Sequence, residues 1–146
     1  MDIISYSTSF SQGIALLLTI HSCNEEILAK TVSTKLLAEY AGIPFSSAVK
    51  TLKSLTVAGI IDTKEGAGGG CFLAKPVSQI TLFDVFMAVE QDAPLFKTHT
   101  SIHSGDELVG NLKRWVEICI TNATDAMKSS LRTVTLEDIW AEVRTL

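Results

Sequence analysis

The sequence predicts a mainly α-helical fold with one small β-hairpin, and three observations carry that reading. Apolar residues recur at helical spacing in two short segments separated by little more than Gly42 and Pro44. Downstream, the β-branched run Gly59-Ile60-Ile61-Asp62-Thr63-Lys64 precedes Gly66, Gly68, Gly69 and Gly70, four of the chain's nine glycines, and Cys71-Phe72-Leu73 follows them. Two strands around a glycine tip make a hairpin. Farther on, Leu108, Leu112, Trp115, Cys119, Ala123, Met127 and Leu131 recur at steps of three and four, the seam of a long helix suited to pairing. Together these give an α+β class: a winged helix-turn-helix with a long dimerisation helix.

In chain order, Phe10, Ile14 and Leu17, flanked by Leu18 and Ile20, predict a first helix over about residues 7–22, closed by Asn24-Glu25-Glu26. From Val32 to Ala41 a Ser/Thr start and an apolar ridge end at Gly42, the start and stop signals of a short second helix. Pro44 opens the third helix at the position where its missing N–H is harmless. Phe45, Val49 and Leu52 are expected to form its buried stripe, with Ser46, Ser47, Lys50, Thr51, Lys53 and Ser54 on the opposite, polar and basic face. Thr135-Leu136-Glu137-Asp138 supplies a cap and an acidic first turn for a short final helix.

The glycine cluster admits a phosphate cradle, a tight hairpin or a hinge. A nucleotide-binding loop requires G-x-x-x-x-G-K-S/T running from a strand into a helix, whereas here Cys71-Phe72-Leu73 and then Pro76 follow. Read as a wing, Lys64, Gly66, Gly68 and Gly69 lie against a sugar-phosphate backbone or enter a minor groove unobstructed by side chains. A plain hairpin tip is the competing reading. The long seam likewise has two: pairing with a second copy, or packing against the first helix.

At 146 residues the chain is long enough for one domain with an appended element. Its net charge of −4 argues against nucleic acid until it is divided along the sequence. Residues 30–75 carry Lys30, Lys35, Lys50, Lys53, Lys64 and Lys75 against Glu39, Asp62 and Glu65, a net of +3 in the segment that holds the hairpin. The cysteines, Cys23, Cys71 and Cys119, lie about fifty residues apart without C-x-x-C pairing, which suits a reducing cytoplasm. The apolar run Gly13–Ile20, with no basic region before it, is far short of the roughly 20 residues that span a bilayer. It is read as a buried helix of a soluble, cytoplasmic protein.

The segment Val32–Glu90 resembles the Rrf-two family of bacterial winged-helix transcriptional regulators. The resemblance rests on Gly66-Ala67-Gly68-Gly69-Gly70, on Leu73-Ala74-Lys75-Pro76 and on Ile80-Thr81-Leu82-Phe83-Asp84-Val85, coupled blocks far more specific than glycines alone. It implies a sequence-specific DNA-binding repressor that acts as a homodimer on a palindromic double-stranded operator, and no membrane partner. Residues 1–90 would be the DNA-binding domain, 91–105 the loop that holds an iron–sulfur cluster in some relatives, 106–132 the dimerisation helix and 133–146 the C-terminal helix. Ser46, Ser47, Lys50, Thr51, Lys53, Lys64, Gly66, Gly68 and Gly69 are the expected DNA contacts, and Leu108, Leu112, Trp115, Cys119, Ala123 and Met127 the expected dimer interface.

Two departures modify the expectation. Residues 91–105 contain no cysteine, the usual cluster ligand, so no cofactor is expected; His99 and His103 alone fall short of a metal site and read as solvated loop residues. At the wing, Glu65 stands where many relatives have a base, and an acid there repels phosphate. That substitution keeps open a protein-interaction module with weakened DNA binding. Cys23 and Cys119 read as small buried hydrophobes. Cys71, near Lys64 and Lys75 in sequence, is either a redox-active thiolate or an ordinary strand residue. No nucleophile with a base, paired carboxylates or metal-ligand set emerges, so an enzyme is not expected.

Overall fold

A computed structural model describes residues 8–26, 30–90, 96 and 105–146. Helix α1 (Ser9–Glu26) is the element against which most others pack, running four residues past its expected end with Leu16, Leu17 and Ile20 fully buried. Gly13 permits this. A Cβ there would lie 3.2 Å from a Val85 methyl and 3.7 Å from the Thr51 methyl, so its absence lets the third and fourth helices close onto α1.

Helix α2 (Thr34–Ala41) begins where the Ser33 hydroxyl accepts the Leu36 N–H at 3.2 Å. It ends with Gly42 at φ 65°, while the Ile43 N–H donates to Ala38 O at 3.0 Å, a Schellman turn that aims the chain directly into the next helix. Helix α3 is Phe45–Val57. Pro44 precedes it with extended ψ of 137° instead of occupying its first helical position. Its buried stripe is Ala48, Thr51, Leu52 and Leu55; Phe45 and Val49, expected inside, are exposed. Small residues face inward because α3 lies close to α1 at Gly13.

Strands β1 (Ile61–Lys64) and β2 (Gly70–Leu73) pair antiparallel, with Ile61 opposite Leu73 and Lys64 opposite Gly70. Val32 adds a third-strand position: its N–H donates to Cys71 O at 2.9 Å and its carbonyl accepts the Cys71 N–H at 2.7 Å. This bridge ties the segment before α2 to the hairpin.

The remaining helices are α4 (Leu82–Glu90), α5 (Glu107–Arg132) and α6 (Leu136–Val143). A short repeat unnoticed in the sequence organises them: Ile80-Thr81-Leu82-Phe83-Asp84-Val85 and Val134-Thr135-Leu136-Glu137-Asp138-Ile139. In each, the threonine hydroxyl accepts the aspartate N–H, at 3.1 and 3.2 Å, while the carboxylate accepts the threonine N–H, at 3.0 and 2.9 Å. Thr81 and Thr135 also bridge each other, with Leu82 N–H to Val134 O and Leu136 N–H to Ile80 O both 2.9 Å, so two helix starts are clasped together. The Arg132 guanidinium lies 4.0 Å over the Phe83 ring where α5 meets α4. Helix α6 returns to α1: the Trp140 indole N–H donates to Glu25 at 3.1 Å and the His21 ring stands edge-on to it at 5.2 Å. Among the described residues no helix is long and apolar enough to cross a membrane.

Candidate nucleic-acid interface

The exposed face of α3 carries Ser46, Lys50 and Lys53, with Ser47 half-buried at its flank and no acid anywhere on the helix. The expectation for Thr51 is corrected. At 3 % exposure it lies in the core, its methyl facing Gly13 of α1, and it offers no hydroxyl to a groove. In its place Phe45 (57 % exposed) and Val49 (43 %) share the solvent face with the serines and lysines.

At the wing, Lys64, Glu65, Gly66 and Gly68 are exposed and Gly69 is half-buried. The glycines first build the tip itself. A Cβ at Gly69 would overlap the Lys64 carbonyl oxygen, and one at Gly70 would fall 2.5 Å from the Val32 carbonyl group. The Thr31 hydroxyl donates to Gly68 O at 2.6 Å, and a 520 Å³ hollow beside it is lined by Lys30, Thr31, Lys64, Gly68 and Phe72. The exposed Lys30 and Lys64 thus flank one hollow at the side of the wing. Lys30 and Thr31 were not legible as wing neighbours in the sequence because they precede α2 and reach the wing through the Val32–Cys71 bridge and the Thr31–Gly68 hydrogen bond. The six-to-three excess of bases over residues 30–75 was the available signal.

Cys71 does not meet the conditions for a reactive thiol. It is 3 % exposed, and burial pushes its pKa up, opposed in part by a hydrogen bond with the Thr34 side chain, so the thiolate is disfavoured. Cys23 is buried as expected, whereas Cys119 is exposed on the single chain. It belongs to the seam of α5, a 26-residue helix with no buried residue, on which Leu108 (75 %), Leu112 (60 %) and Trp115 (64 %) face solvent, with Ala123 exposed and Met127 half-buried. His99 and His103 lie outside the described residues.

The profile of the Rrf2 family, described as iron-dependent transcriptional regulators, matches residues 6–142. YffB of Lactococcus lactis, which bears the name of an HTH-type transcriptional regulator, is 29 % identical over 127 residues, 86 % of this chain and 77 % of that one. YwgB of Bacillus subtilis, similarly named, is 28 % identical over 97 residues, 66 % of this chain and 61 % of its own. Among solved structures, a Lactobacillus plantarum transcriptional regulator superposes with a TM-score of 0.76 at 15 % identity, covering 94 % of this chain and 90 % of its own. CymR, the global cysteine regulator of B. subtilis, superposes with a TM-score of 0.64 at 21 % identity over 96 % and 98 %. The cysteines lie on α1, β2 and α5, two of them in the core, and among the described residues no group of three ligating side chains gathers. The family match over residues 6–142 places the chain in the Rrf2 family of DNA-binding transcriptional regulators, and its residues 91–105 contain no cysteine.

Proposed function

We propose that the protein represses transcription as a homodimer bound to a palindromic operator, α3 of each copy in a major groove and each wing along the flanking backbone. The observation that carries the reading is the unburied apolar seam of α5. Leucines and a tryptophan at steps of three and four are not left in water by a helix that has no partner. Pairing two copies through α5 would bury that seam and set two recognition helices at fixed separation, which is the geometry a palindrome requires. Repression follows if the dimer occupies its operator and excludes competing proteins. Equilibrium sedimentation at micromolar concentration tests the first step, with a dimer expected. Selection of operator duplexes by the purified protein tests the second, with inverted half-sites expected.

The exposed Glu65 favours one rival, a winged-helix module that binds protein in place of DNA. Salt separates the two. Binding that neutralises several phosphates weakens steeply as salt rises, and a monomeric protein indifferent to duplex sequence would favour the rival.

A further inference from the structure

Phe45 and Val49 stand one helical turn apart on exposed surface of α3, beside Lys53, Ser46 and Lys50, although each is apolar enough to have been expected in the core. Ala48, Thr51, Leu52 and Leu55 already fill the inward stripe, so rotating α3 to bury Phe45 and Val49 would expose Thr51 and Leu55. The outward apolar pair is therefore fixed by the packing. Phe45 also walls a 420 Å³ hollow with Lys35, Ala38, Glu39 and Ile43, at the junction of α2 and α3.

We infer that Phe45 and Val49 read the 5-methyl groups of thymine in the major groove, so that the half-site is specified by methyl contacts as well as by Lys50. This rests on the DNA-binding reading of α3 and deepens it. The chemistry favours such an occupant. The first turns of a recognition helix meet base edges, and the thymine methyl is the apolar feature among the ordinary bases in that groove. Lys50 and Lys53 beside the pair, with no acid on the helix, supply the charge complementary to the phosphates on either side. With no arginine on α3, bidentate reading of guanine by that residue is missing, and shape-fitting apolar contacts take a larger share of discrimination.

The test uses the full chain and duplexes it selects from random sequence. Each thymine of the selected half-site is replaced in turn by deoxyuridine, which removes one methyl and leaves every hydrogen-bonding group unchanged. Wild type should lose about fourfold in affinity at one or two positions per half-site, the effect of failing to bury one methyl-sized group. Val49→Ala and Phe45→Ala should each abolish the thymine preference at one of those positions. The substitution in the DNA leaves the protein untouched, so misfolding cannot imitate the result. Unchanged affinity across the deoxyuridine series, in a protein that still prefers its selected duplex over a scrambled one, would overturn methyl reading and leave DNA binding standing. Half-sites without thymine beneath α3, or variants that weaken thymine and deoxyuridine duplexes equally, would overturn it also. Absence of any duplex preference would instead remove the DNA-binding reading.

Discussion

Replacing Gly70 with alanine should damage the fold more than the same replacement at Gly66, on the other side of the wing tip. Gly70 has φ of 151°, a conformation that side chains rarely adopt, and its added Cβ would lie 2.5 Å from the carbonyl carbon and oxygen of Val32. Backbone strain in this region costs about 1–3 kcal/mol. Relieving the collision requires Val32 to withdraw, which breaks its hydrogen bonds of 2.9 and 2.7 Å with Cys71. Two backbone bonds at about 0.5–1.5 kcal/mol each bring the total to about 2–6 kcal/mol. Gly66→Ala is the control: its φ is 93°, but no atom lies within 4 Å of the added Cβ. Only the conformational cost applies there, about 1–2 kcal/mol. Urea unfolding of both variants with a common m-value gives the comparison. If Gly70→Ala proved no less stable than Gly66→Ala, the claim that the glycines are placed chiefly by the wing's own architecture would be wrong.

Three further outcomes follow from other parts of the molecule. Leu112→Glu places a carboxylate in the exposed seam of α5 and should yield monomers or aggregates in sedimentation velocity, whereas an unchanged dimer would move the interface elsewhere. Lys30→Ala and Lys64→Ala should each flatten the slope of log affinity against log salt by about 0.9, while Glu65→Arg should steepen it and tighten both operator and scrambled duplexes; identical slopes would show that these wing residues do not face phosphate. The Thr135 backbone N–H and hydroxyl hold the Asp138 carboxyl below its ordinary value of 3.8, so its stabilisation of the α6 start is complete above that value and fades as pH falls through the lowered folded one. Asp138→Asn should thus be less stable than wild type at neutral pH and converge with it in acid, and a gap independent of pH would refute the capping assignment.

Capping residues and turn glycines made the order of elements legible. Ser33, Gly42 and Thr135 act locally, so their neighbours in sequence suffice to read them. The orientation of α3 was not legible. Periodicity identifies an apolar stripe but not the space available to it, and the approach of α1 at Gly13 selects Ala48 and Thr51 where Phe45 and Val49 would not fit. For Cys71 the sequence left two readings open, because Lys64 and Lys75 are near it in the chain, and its burial beside the Val32 bridge favours the ordinary strand residue. Lys30 was legible as part of the basic segment but not as a neighbour of the wing, which is distant in sequence and joined to it through the Val32–Cys71 bridge and the Thr31–Gly68 hydrogen bond.

The mass of the protein–DNA complex tests the central claim most directly. Sedimentation velocity of the full chain with a duplex it has selected should give two chains per duplex, saturating in one cooperative step. The half-sites should lie about one helical turn, 10–10.5 base pairs, or a multiple of it apart. One chain per duplex, or a complex that forms equally well on scrambled DNA, would contradict it.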